Sequence, residues 1–465
     1  MSQLEYTREI FMNNKKVSLT KTVLFTVCSI LVLDSFVAPT IIGVSSISIW
    51  IISAIFFFLP YGLMSAELGS TYPDDGGIVS WVQRAFGEFW GVMEGWMYWI
   101  NVAFWMPAVF TAFSGWLVLA IWPEMPVFLQ AVIAIFMCWV IVYIGVKGID
   151  LSVEVASIMA YLKMGILILL GVLGIIYGFK NGLANDFSLS NWIPNFADII
   201  NPQDGGYFAV IVYNLLGFEL IGSIGSQIED PKHTVPKMTI IAGVAIVAIY
   251  CFGSFGVLAA IPADAIDEVD GFVYALKELC TVFGPFGNVL FYIVIFGAIL
   301  TLVANMITWT LGGNEAFMAA DLDKRSKFLG HRHPKYGTAD NLYYVMGVVS
   351  SILLVLNYSL SGNANEVFWT IFAFSSIVFM LCYLLMFPAA LKLKFTDNTP
   401  RVYEVPGGKV GMVIVFILCM FSVGIATYSL LDLDPSGFGF WMQLVGLILT
   451  FGVGVYLYYA GKKKE

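Results

Sequence analysis

The stretch SILVLDSFVAPTIIG, from Ser29 to Gly43, decides the fold class of this chain. Its apolar run is interrupted by Asp34 and Ser35 and then by Pro39. A lone carboxylate near the centre of a bilayer costs about 2.5 to 3.5 kcal/mol on insertion scales, and intramembrane carboxylates are as a rule paired and functional. Proline also breaks the hydrogen-bond ladder of a helix. The stretch therefore predicts a membrane-spanning helix that is broken beside a carboxylate.

The composition of the whole chain supports a membrane location. Of the 465 residues, 59% are hydrophobic and only 12% are charged, whereas roughly 25% of the residues in a soluble domain are charged. The first twenty residues are polar and contain no short apolar core, so we expect no cleavable signal peptide. Five of the six cysteines lie in apolar runs, which argues against a disulfide framework.

Twelve apolar runs are long enough to cross a bilayer as helices of about 20 residues. Their approximate ranges are 20–44, 47–70, 86–119, 126–146, 153–179, 207–228, 237–261, 285–319, 341–358, 366–391, 411–432 and 438–460. An even number of crossings places both termini on the same side. We therefore predict an all-α membrane protein in which residues 1–465 form a single domain of twelve transmembrane helices.

The positions of lysine and arginine predict the orientation, because cytoplasmic loops carry an excess of both residues. If residues 1–19 form a cytoplasmic segment, 20 of the 23 basic residues lie on the cytoplasmic side. Lys180 and Lys277 then lie outside, and Lys163 lies within the membrane. We expect a multi-pass protein of the plasma (inner) membrane with both termini in the cytoplasm.

The first and sixth predicted spans are interrupted at corresponding positions. The glycines that interrupt span 6 are Gly217, Gly222 and Gly225. Interrupted spans at corresponding positions of two halves are the best sequence indication of a transporter built from inverted repeats, with half-helix ends at the substrate site. We assign the first repeat to residues 20–179 and the second to 207–391, followed by two additional helices in 411–460.

Four further segments carry a family resemblance. They are SAELGSTYPDDGG at 65–77, GFE at 217–219, EDPKHTVP at 229–236 and YEVPGG at 403–408. In this spacing they resemble the amino acid, polyamine and organocation transporter superfamily, especially its glutamate/GABA-type antiporters and its polyamine uptake group. The resemblance covers nearly the whole chain. It implies an inverted-repeat (LeuT-like) fold of five plus five helices with breaks in spans 1 and 6.

The resemblance also implies residues of a substrate site. Asn101 matches a position that faces the substrate, and Glu219 matches a residue that stabilises the hinge or shuttles a proton. Tyr213 and Trp309 fall where the superfamily carries aromatic rings that occlude the site. Lys163 occupies the place that sodium takes in sodium-coupled relatives, where its ammonium would bridge spans 1 and 8.

The hinge of span 1 departs from the superfamily, whose hinge is small and rich in glycine, because here it reads LDSFVAP. We interpret Asp34 as the ligand of a substrate amine. Ser35 and Gly217 belong to the two hinges. The apolar part of the substrate would pack against Phe36, Phe218 and Trp309.

Each assignment has a structural alternative. Asp34 could cap a half-helix or pair with Lys163 without contacting substrate. Glu219 could make a fixed hydrogen bond to unwound backbone. Lys163 lies about 16 Å into span 5, too deep for comfortable snorkelling, and could be a permanent structural cation instead of a coupling group.

Span 3 places four side chains on one helical face, because they are spaced by four, three and four residues. They are Glu94, Tyr98, Asn101 and Trp105. A stripe of this kind is more often packing than binding, yet its polar members must face protein or water rather than lipid. Glu94 and Tyr98 are therefore secondary candidates for the substrate site.

These observations predict a secondary active transporter that moves amino acids or related amines by alternating access, as an exchanger or a proton-coupled carrier. The alternative within transport is a proton-coupled polyamine importer. A channel would need a repeated filter loop, and a membrane-embedded enzyme would need a nucleophile and a base at matched depth. Neither pattern is present in the sequence.

The expected partners are the small-molecule substrate and the lipid bilayer, without nucleic acid. We expect no cofactor and no metal, since the chain lacks a Walker loop and an HExxH motif. The short loop AIWPEMP between spans 3 and 4 has no cysteine. A disulfide-linked heavy subunit is therefore not expected.

Overall fold

The computed structural model describes residues 16–195, 207–267, 270–359 and 364–462. Most of the predicted segment 1–19, namely residues 1–15, lies outside these ranges, as do Lys463 and Lys464.

Twelve helical segments of the described ranges correspond to the predicted spans. Span 1 consists of Leu19–Ile30 and the 3-10 helix Ala38–Ile42, and span 6 consists of Tyr207–Asn214 and the 3-10 helix Phe218–Gln227. The others are Ser45–Thr71 (span 2), Glu88–Ile121 (3), Val127–Lys147 (4), Ile149–Asn181 (5), Pro231–Ala260 (7), Pro285–Met318 (8), Asp340–Ser359 (9), Ala364–Thr396 (10), Gly408–Ser429 (11) and Phe438–Lys462 (12). The predicted all-helical class is confirmed.

The outer surface of the bundle is apolar. Phe128, Val244 and Phe421 are 79%, 70% and 65% exposed, and many other large apolar side chains are exposed with them. A water-soluble monomer rarely exposes contiguous apolar surface of this kind. These side chains are suited to contact lipid.

Burial separates the central spans from the peripheral ones. The most apolar window of span 6 is 94% buried, against 78% for span 10 and 67% for span 8. The corresponding windows of spans 4 and 12 are only 22% buried. Because a broken helix exposes backbone polar groups, it must be surrounded by protein rather than lipid. The high burial of span 6 therefore fits a span whose helix is broken.

The two ends of the bundle are distinguished by their contacts. At one end Lys16 Nζ donates to the Ser226 carbonyl at 2.6 Å, and Ser226 Oγ donates to Asp75 Oδ2 at 2.7 Å. At the same end an Arg325 guanidinium nitrogen donates to the Tyr458 carbonyl at 3.2 Å. This end carries the first and last parts of the described chain. We call it the termini face, and the other end the opposite face.

A short helix lies between the second and third spans of each half. Ile78–Phe86 connects spans 2 and 3 at the termini face, and Gly271–Cys280 connects spans 7 and 8 at the opposite face. Neither helix was predicted from the sequence. Their positions on opposite faces match an inverted repeat.

Candidate functional site

Spans 1 and 6 are unwound in the middle, and one tyrosine of span 7 joins the two breaks. The first helix of span 1 ends at Ile30, whose carbonyl accepts a hydrogen bond from the Tyr250 hydroxyl at 2.6 Å. The same hydroxyl accepts a hydrogen bond from the Val32 amide at 2.9 Å and lies 3.4 Å from the Asn214 carbonyl. Ser35 Oγ donates to Asn214 Oδ1 at 2.9 Å. The breaks are therefore fixed side by side.

Asp34 lies in the break of span 1 and is 5% exposed. Its Oδ1 atom is buried and has no hydrogen-bond partner in the described part of the chain. The 3-10 helix that follows begins at Ala38 and has no side-chain cap. A buried polar atom without a partner costs about 1 to 3 kcal/mol. A ligand that brings a donor to this carboxylate would remove that cost.

Lys163 is 1% exposed and is directed at span 1. Its ammonium donates to the Cys28 carbonyl at 2.7 Å and also to the Leu31 carbonyl and to Asn305 Oδ1. Cys28 and Leu31 belong to span 1 and Asn305 to span 8, so the ammonium bridges these two spans. Three acceptors use all the donors of an ammonium, and none of them is a carboxylate.

The hinge of span 6 is held by the Tyr61 hydroxyl. Gly217 has φ of 130°, a backbone conformation that favours glycine. The amides of Gly217 and Phe218 donate to the Tyr61 hydroxyl at 3.1 and 2.9 Å. That hydroxyl donates to Glu219 Oε2, and the Tyr98 hydroxyl donates to Glu219 Oε1 at 2.8 Å. Tyrosines of spans 2 and 3 thus hold both oxygens of the Glu219 carboxylate.

A cluster of aromatic rings packs beside the breaks. The centroid of the Trp309 ring lies 5.7 Å from Trp105, 5.2 Å from Phe379 and 6.3 Å from Tyr98. The Tyr213 ring lies 6.1 Å from Trp105 and 5.7 Å from Phe379. These rings come from spans 3, 6, 8 and 10. Tyr213 and Trp309 are therefore in one cluster, as the resemblance implies.

The polar face of span 3 is buried against this cluster. Both Glu94 and Asn101 have no exposed surface. Among the described residues neither amide atom of Asn101 has a hydrogen-bond partner, and the same holds for the Trp105 ring nitrogen. Several buried polar atoms without partners on one helical face require an explanation. A bound ligand or ordered water between spans 1, 3 and 6 would provide it.

Phe36 and Phe218 lie apart from the aromatic cluster. Phe36 packs against Tyr250 and Phe272, with ring centroids 6.3 and 6.2 Å away. Phe218 stacks on Phe58 at 4.6 Å and packs against spans 2 and 7. The three rings predicted to contact one apolar part of the substrate are therefore not brought together in this conformation.

Four residues of the site escaped the sequence analysis. They are Tyr61, Asn214, Tyr250 and Asn305. The available signal for Asn305 was the same as for Asn101, an amide in the middle of a long apolar span. Across the described ranges no three His, Cys, Asp or Glu side chains are placed to hold a metal ion.

Comparison with known proteins supports the predicted family. A family model described as amino acid permease matches residues 17–452. The chain is 31% identical over 416 residues to a probable agmatine/putrescine antiporter of Lactococcus lactis, with 88% of this chain and 87% of that protein covered. It is 22% identical over 430 residues to a glutamate/gamma-aminobutyrate antiporter of the same species, with 89% and 84% covered.

A solved structure supports the predicted fold. The crystal structure of a mutant manganese transporter from Eremococcus coleocola matches with a TM-score of 0.63 at 15% identity, covering 97% of this chain and 95% of that one. The predicted inverted-repeat, LeuT-like arrangement is confirmed. Secondary transport of amino acids or related amines, rather than an enzymatic activity, is confirmed by the family and the relatives, which do not favour the polyamine importer alternative. The chain belongs to the amino acid permease family.

Proposed function

We propose that this protein exchanges small cationic amines across the plasma membrane, with Asp34 as the ligand of the substrate ammonium. The observation that carries the proposal is the buried Oδ1 atom of Asp34, which has no hydrogen-bond partner among the described residues. An ammonium supplies both a donor and the opposite charge. A hydrogen bond to a charged group contributes about 1.5 to 3 kcal/mol.

The hinge of span 6 supports an amine over an amino acid. In transporters with broken helices, the amides at a half-helix N-terminus are the usual ligands of a substrate carboxylate. Here the amides of Gly217 and Phe218 already donate to the Tyr61 hydroxyl. Two of the donors that a carboxylate would need are therefore occupied, whereas Asp34 Oδ1 has no hydrogen-bond partner in the described part of the chain.

The name of one relative agrees with this substrate class, and the names of two relatives agree with exchange. Agmatine and putrescine, which appear in the name of one relative, are cationic amines that carry no carboxylate. Both that relative and the glutamate/gamma-aminobutyrate protein are called antiporters.

We place the substrate between the two breaks and beside the aromatic cluster. The proposed site residues are Asp34, Ser35, Phe36, Asn101, Tyr213, Gly217, Phe218, Glu219 and Trp309, with Glu94 and Tyr98 as secondary members. Asn101 offers two amide atoms that have no hydrogen-bond partner within the described ranges, and the large rings of Tyr213 and Trp309 would close the site.

Lys163 is the proposed coupling group. Its ammonium ties the Cys28 and Leu31 carbonyls of span 1 to Asn305 of span 8. Loss of the proton would remove one donor and the charge from this bridge, so protonation would favour the conformation described here. A lysine ammonium at this position also supplies the positive charge that a sodium ion would otherwise bring.

The basic residues outside the spans indicate the orientation of the protein in the membrane. Among the described residues, the termini face carries nearly all basic residues that lie outside the spans, and an excess of such residues is typical of the cytoplasmic side. We therefore propose that this face is cytoplasmic and that residues 1–465 form a single domain. Within it, residues 20–179 and 207–391 would be the two repeats.

Thermal unfolding of the purified protein tests the substrate class. A ligand present at about 100 times its dissociation constant adds about 2.7 kcal/mol of stability. We expect putrescine and agmatine to stabilise the protein and glutamate and gamma-aminobutyrate to have little effect. Stabilisation by glutamate without stabilisation by either amine would contradict the proposal.

A single substitution tests the ligand. We expect Asp34→Asn to remain folded and to lose about 1.5 to 3 kcal/mol of amine binding free energy. Asp264→Asn, which changes an exposed carboxylate of the opposite face, is the matched control and should bind like the wild type. Unchanged amine affinity in Asp34→Asn would rule out the recognition role.

A further inference from the structure

Two lysines of the termini face lie against the ring of Tyr336, in the loop between spans 8 and 9. Lys147 is the last residue of span 4, and its Nζ donates to the Tyr336 hydroxyl at 3.2 Å. The Nζ atoms of Lys147 and Lys335 each lie 5.3 Å from the centre of the Tyr336 ring. An ammonium over the face of an aromatic ring is attracted by the electrons of the ring. Both ammonium groups are therefore held at one ring.

The loop that carries Lys335 and Tyr336 is fixed to span 4. The Thr338 hydroxyl donates to the Val146 carbonyl at 2.9 Å. The His333 ring packs against Tyr336 with centroids 4.7 Å apart, and its Nδ1 accepts hydrogen bonds from the amides of Lys335 and Tyr336 at 3.1 and 3.3 Å. A neutral imidazole that accepts at Nδ1 carries its proton on Nε2. His333 therefore adds one N–H donor beside the two ammonium groups.

Positive charge is in excess at this cluster. Among the described residues, neither Lys147 nor Lys335 forms an ion pair with a carboxylate. The acids that contact this loop already pair with other side chains of the loop, namely Glu315 with Arg332 and Asp340 with His331. The hydrogen bond from Lys147 is the main cause that lowers the pKa of the Tyr336 hydroxyl. The cluster therefore offers uncompensated positive charge to an anion.

An apolar stripe runs from this cluster along span 4. One helical face carries residues spaced by three, four and four positions, namely Phe136, Trp139, Tyr143 and Lys147. The three aromatic side chains are 64%, 38% and 63% exposed, and Lys147 Nζ lies 5.0 Å from the centre of the Tyr143 ring. Trp139 Nε1 donates to Ser351 Oγ of span 9 at 3.2 Å. The surface along the seam between spans 4 and 9 is therefore suited to contact acyl chains.

We propose that Lys147, Lys335 and Tyr336 bind the phosphate of an anionic phospholipid, whose acyl chains lie along the seam between spans 4 and 9. Ammonium and hydroxyl groups donate to phosphate oxygens, and hydrogen bonds between charged groups are the stronger ones. Anionic lipids give the cytoplasmic leaflet its negative charge, and the termini face is the one proposed to be cytoplasmic. A lipid is favoured over free phosphate because the basic cluster continues into exposed apolar surface. The bound headgroup would connect span 4 with the loop before span 9, outside the proposed substrate site.

Native mass spectrometry of the purified full chain tests this site. Phosphatidylglycerol and phosphatidylcholine with the same acyl chains are titrated separately, and the dissociation constant of the first bound lipid is measured. We expect the wild type to bind phosphatidylglycerol roughly thirtyfold more tightly, because choline compensates the charge of the phosphate that two lysines would otherwise attract. Equal affinity of the wild type for the two lipids would overturn the proposal.

A pair of double variants tests the position of the site. Lys147→Ala/Lys335→Ala should weaken phosphatidylglycerol binding by roughly thirtyfold, the scale of two lysines near an anionic headgroup. The matched control is Lys232→Ala/Lys237→Ala, which removes two exposed lysines at the start of span 7 on the same face. It changes the net charge equally and should keep the wild-type affinity. Equal losses in both double variants would overturn the site, because binding would then depend only on the charge of the whole face.

A water-soluble headgroup distinguishes a lipid from a free phosphate compound. Glycerol 3-phosphate carries the same phosphate without acyl chains, and we expect it not to displace phosphatidylglycerol at equal concentration. Displacement at equal concentration would overturn the assignment to a lipid.

Tyr336→Phe covers the case in which the double variant does not fold. It keeps the ring between the two lysines and removes only the hydroxyl. We expect roughly five- to tenfold weaker binding of phosphatidylglycerol, the scale of one hydrogen bond. Wild-type affinity in this variant would overturn the contact between the Tyr336 hydroxyl and the phosphate.

Discussion

Lys163 and Asp34 are both buried charges of the same site, but their surroundings differ. All three donors of the Lys163 ammonium are used, whereas Asp34 Oδ1 is unpaired among the described residues. A buried charge whose hydrogen bonds are all made within the protein stabilises one conformation. A buried charge with an unpaired atom is suited to bind a ligand. We therefore assign the lysine to coupling and the aspartate to recognition.

Removal of the lysine should uncouple span 1 from span 8. We expect Lys163→Ala to slow exchange strongly and to lower thermal stability, because each buried acceptor left unpaired costs about 1 to 3 kcal/mol. Amine flux into proteoliposomes should not depend on sodium in the wild type and should change with pH between about 5 and 8 if the lysine titrates there.

The matched control is Lys180→Ala, which removes a lysine that donates to the Val282 carbonyl at the opposite face. This variant should transport like the wild type. Sodium-stimulated wild-type flux, or a Lys163→Ala variant with the wild-type pH profile, would show that the lysine is only structural.

The aromatic cluster leads to a prediction about occlusion. Trp309→Ala and Tyr213→Ala each remove a large ring that packs against Trp105 and Phe379. We expect slower or leaky exchange in both variants, because a site that does not close cannot keep substrate from water. Counterflow of labelled amine in proteoliposomes measures this. Trp122→Ala, at an exposed tryptophan, is the control and should show wild-type counterflow. Normal counterflow in all three variants would show that the aromatic cluster only packs the interior.

Charged residues of the site could be predicted from the sequence, whereas most of its neutral polar residues could not. Asp34 and Lys163 stand out because charges are rare in apolar spans. Tyr61 and Tyr250 do not stand out, since the chain has 22 tyrosines. Their importance depends on which carbonyls and amides the breaks leave free, and only the folded arrangement of spans 2 and 7 around spans 1 and 6 determines this.

At the scale of elements, different residues interrupt the helices of spans 1 and 6. In span 1 the helix ends at Ile30 and resumes at Ala38, and Pro39 in the first turn of the 3-10 helix sets its start. In span 6 the gap runs only from Leu215 to Gly217, and it depends on the backbone of that glycine.

Gly217 is therefore the position where a single methyl group should damage the hinge. At φ of 130° a side chain is strained, and its Cβ would lie 3.0 Å from Ile30 and 3.3 Å from Trp309. We expect Gly217→Ala to cost about 1 to 3 kcal/mol of stability and to weaken amine binding. Gly424→Ala in span 11, where a Cβ meets open space, should be neutral or slightly stabilising. Equal melting temperatures in the two variants would contradict the strained hinge.

The long spans were predictable because each carries a continuous apolar run, and their ends lie within six residues of the predicted ones. The short helices were not. Ile78–Phe86 contains Gln83 and Arg84, and Gly271–Cys280 contains Lys277 and Glu278. Both are too short and too polar to stand out as spans. They form because one apolar side of each packs on the bundle.

At the scale of the whole molecule, a polar network at the termini face connects the two halves. Glu67 of span 2 accepts hydrogen bonds from Lys394 of span 10 at 2.9 and 3.1 Å and from the Val405 amide, before span 11, at 2.7 Å. Nearby, hydrogen bonds from Thr399 are the main cause that lowers the pKa of Asp397 to about 2. The segment YEVPGG, at 403–408, thus connects the ends of spans 2 and 10.

The network predicts unequal effects for the two carboxylates that Lys394 contacts. Glu67 and Lys394 side chains are 2% and 3% exposed, and removing one partner of a buried pair costs about 3 to 5 kcal/mol. Without Glu67, the Lys394 ammonium would keep only the exposed Glu404 as an ion-pair partner among the described residues. Glu404 contacts the same ammonium at 2.7 Å but is 56% exposed, and an exposed pair contributes about 0 to 1 kcal/mol. We expect Glu67→Gln to lower the melting temperature far more than Glu404→Gln. If the two halves separate at the termini face during transport, Glu67→Gln should also change the exchange rate. Equal melting temperatures and equal exchange rates in both variants would refute the role of this network.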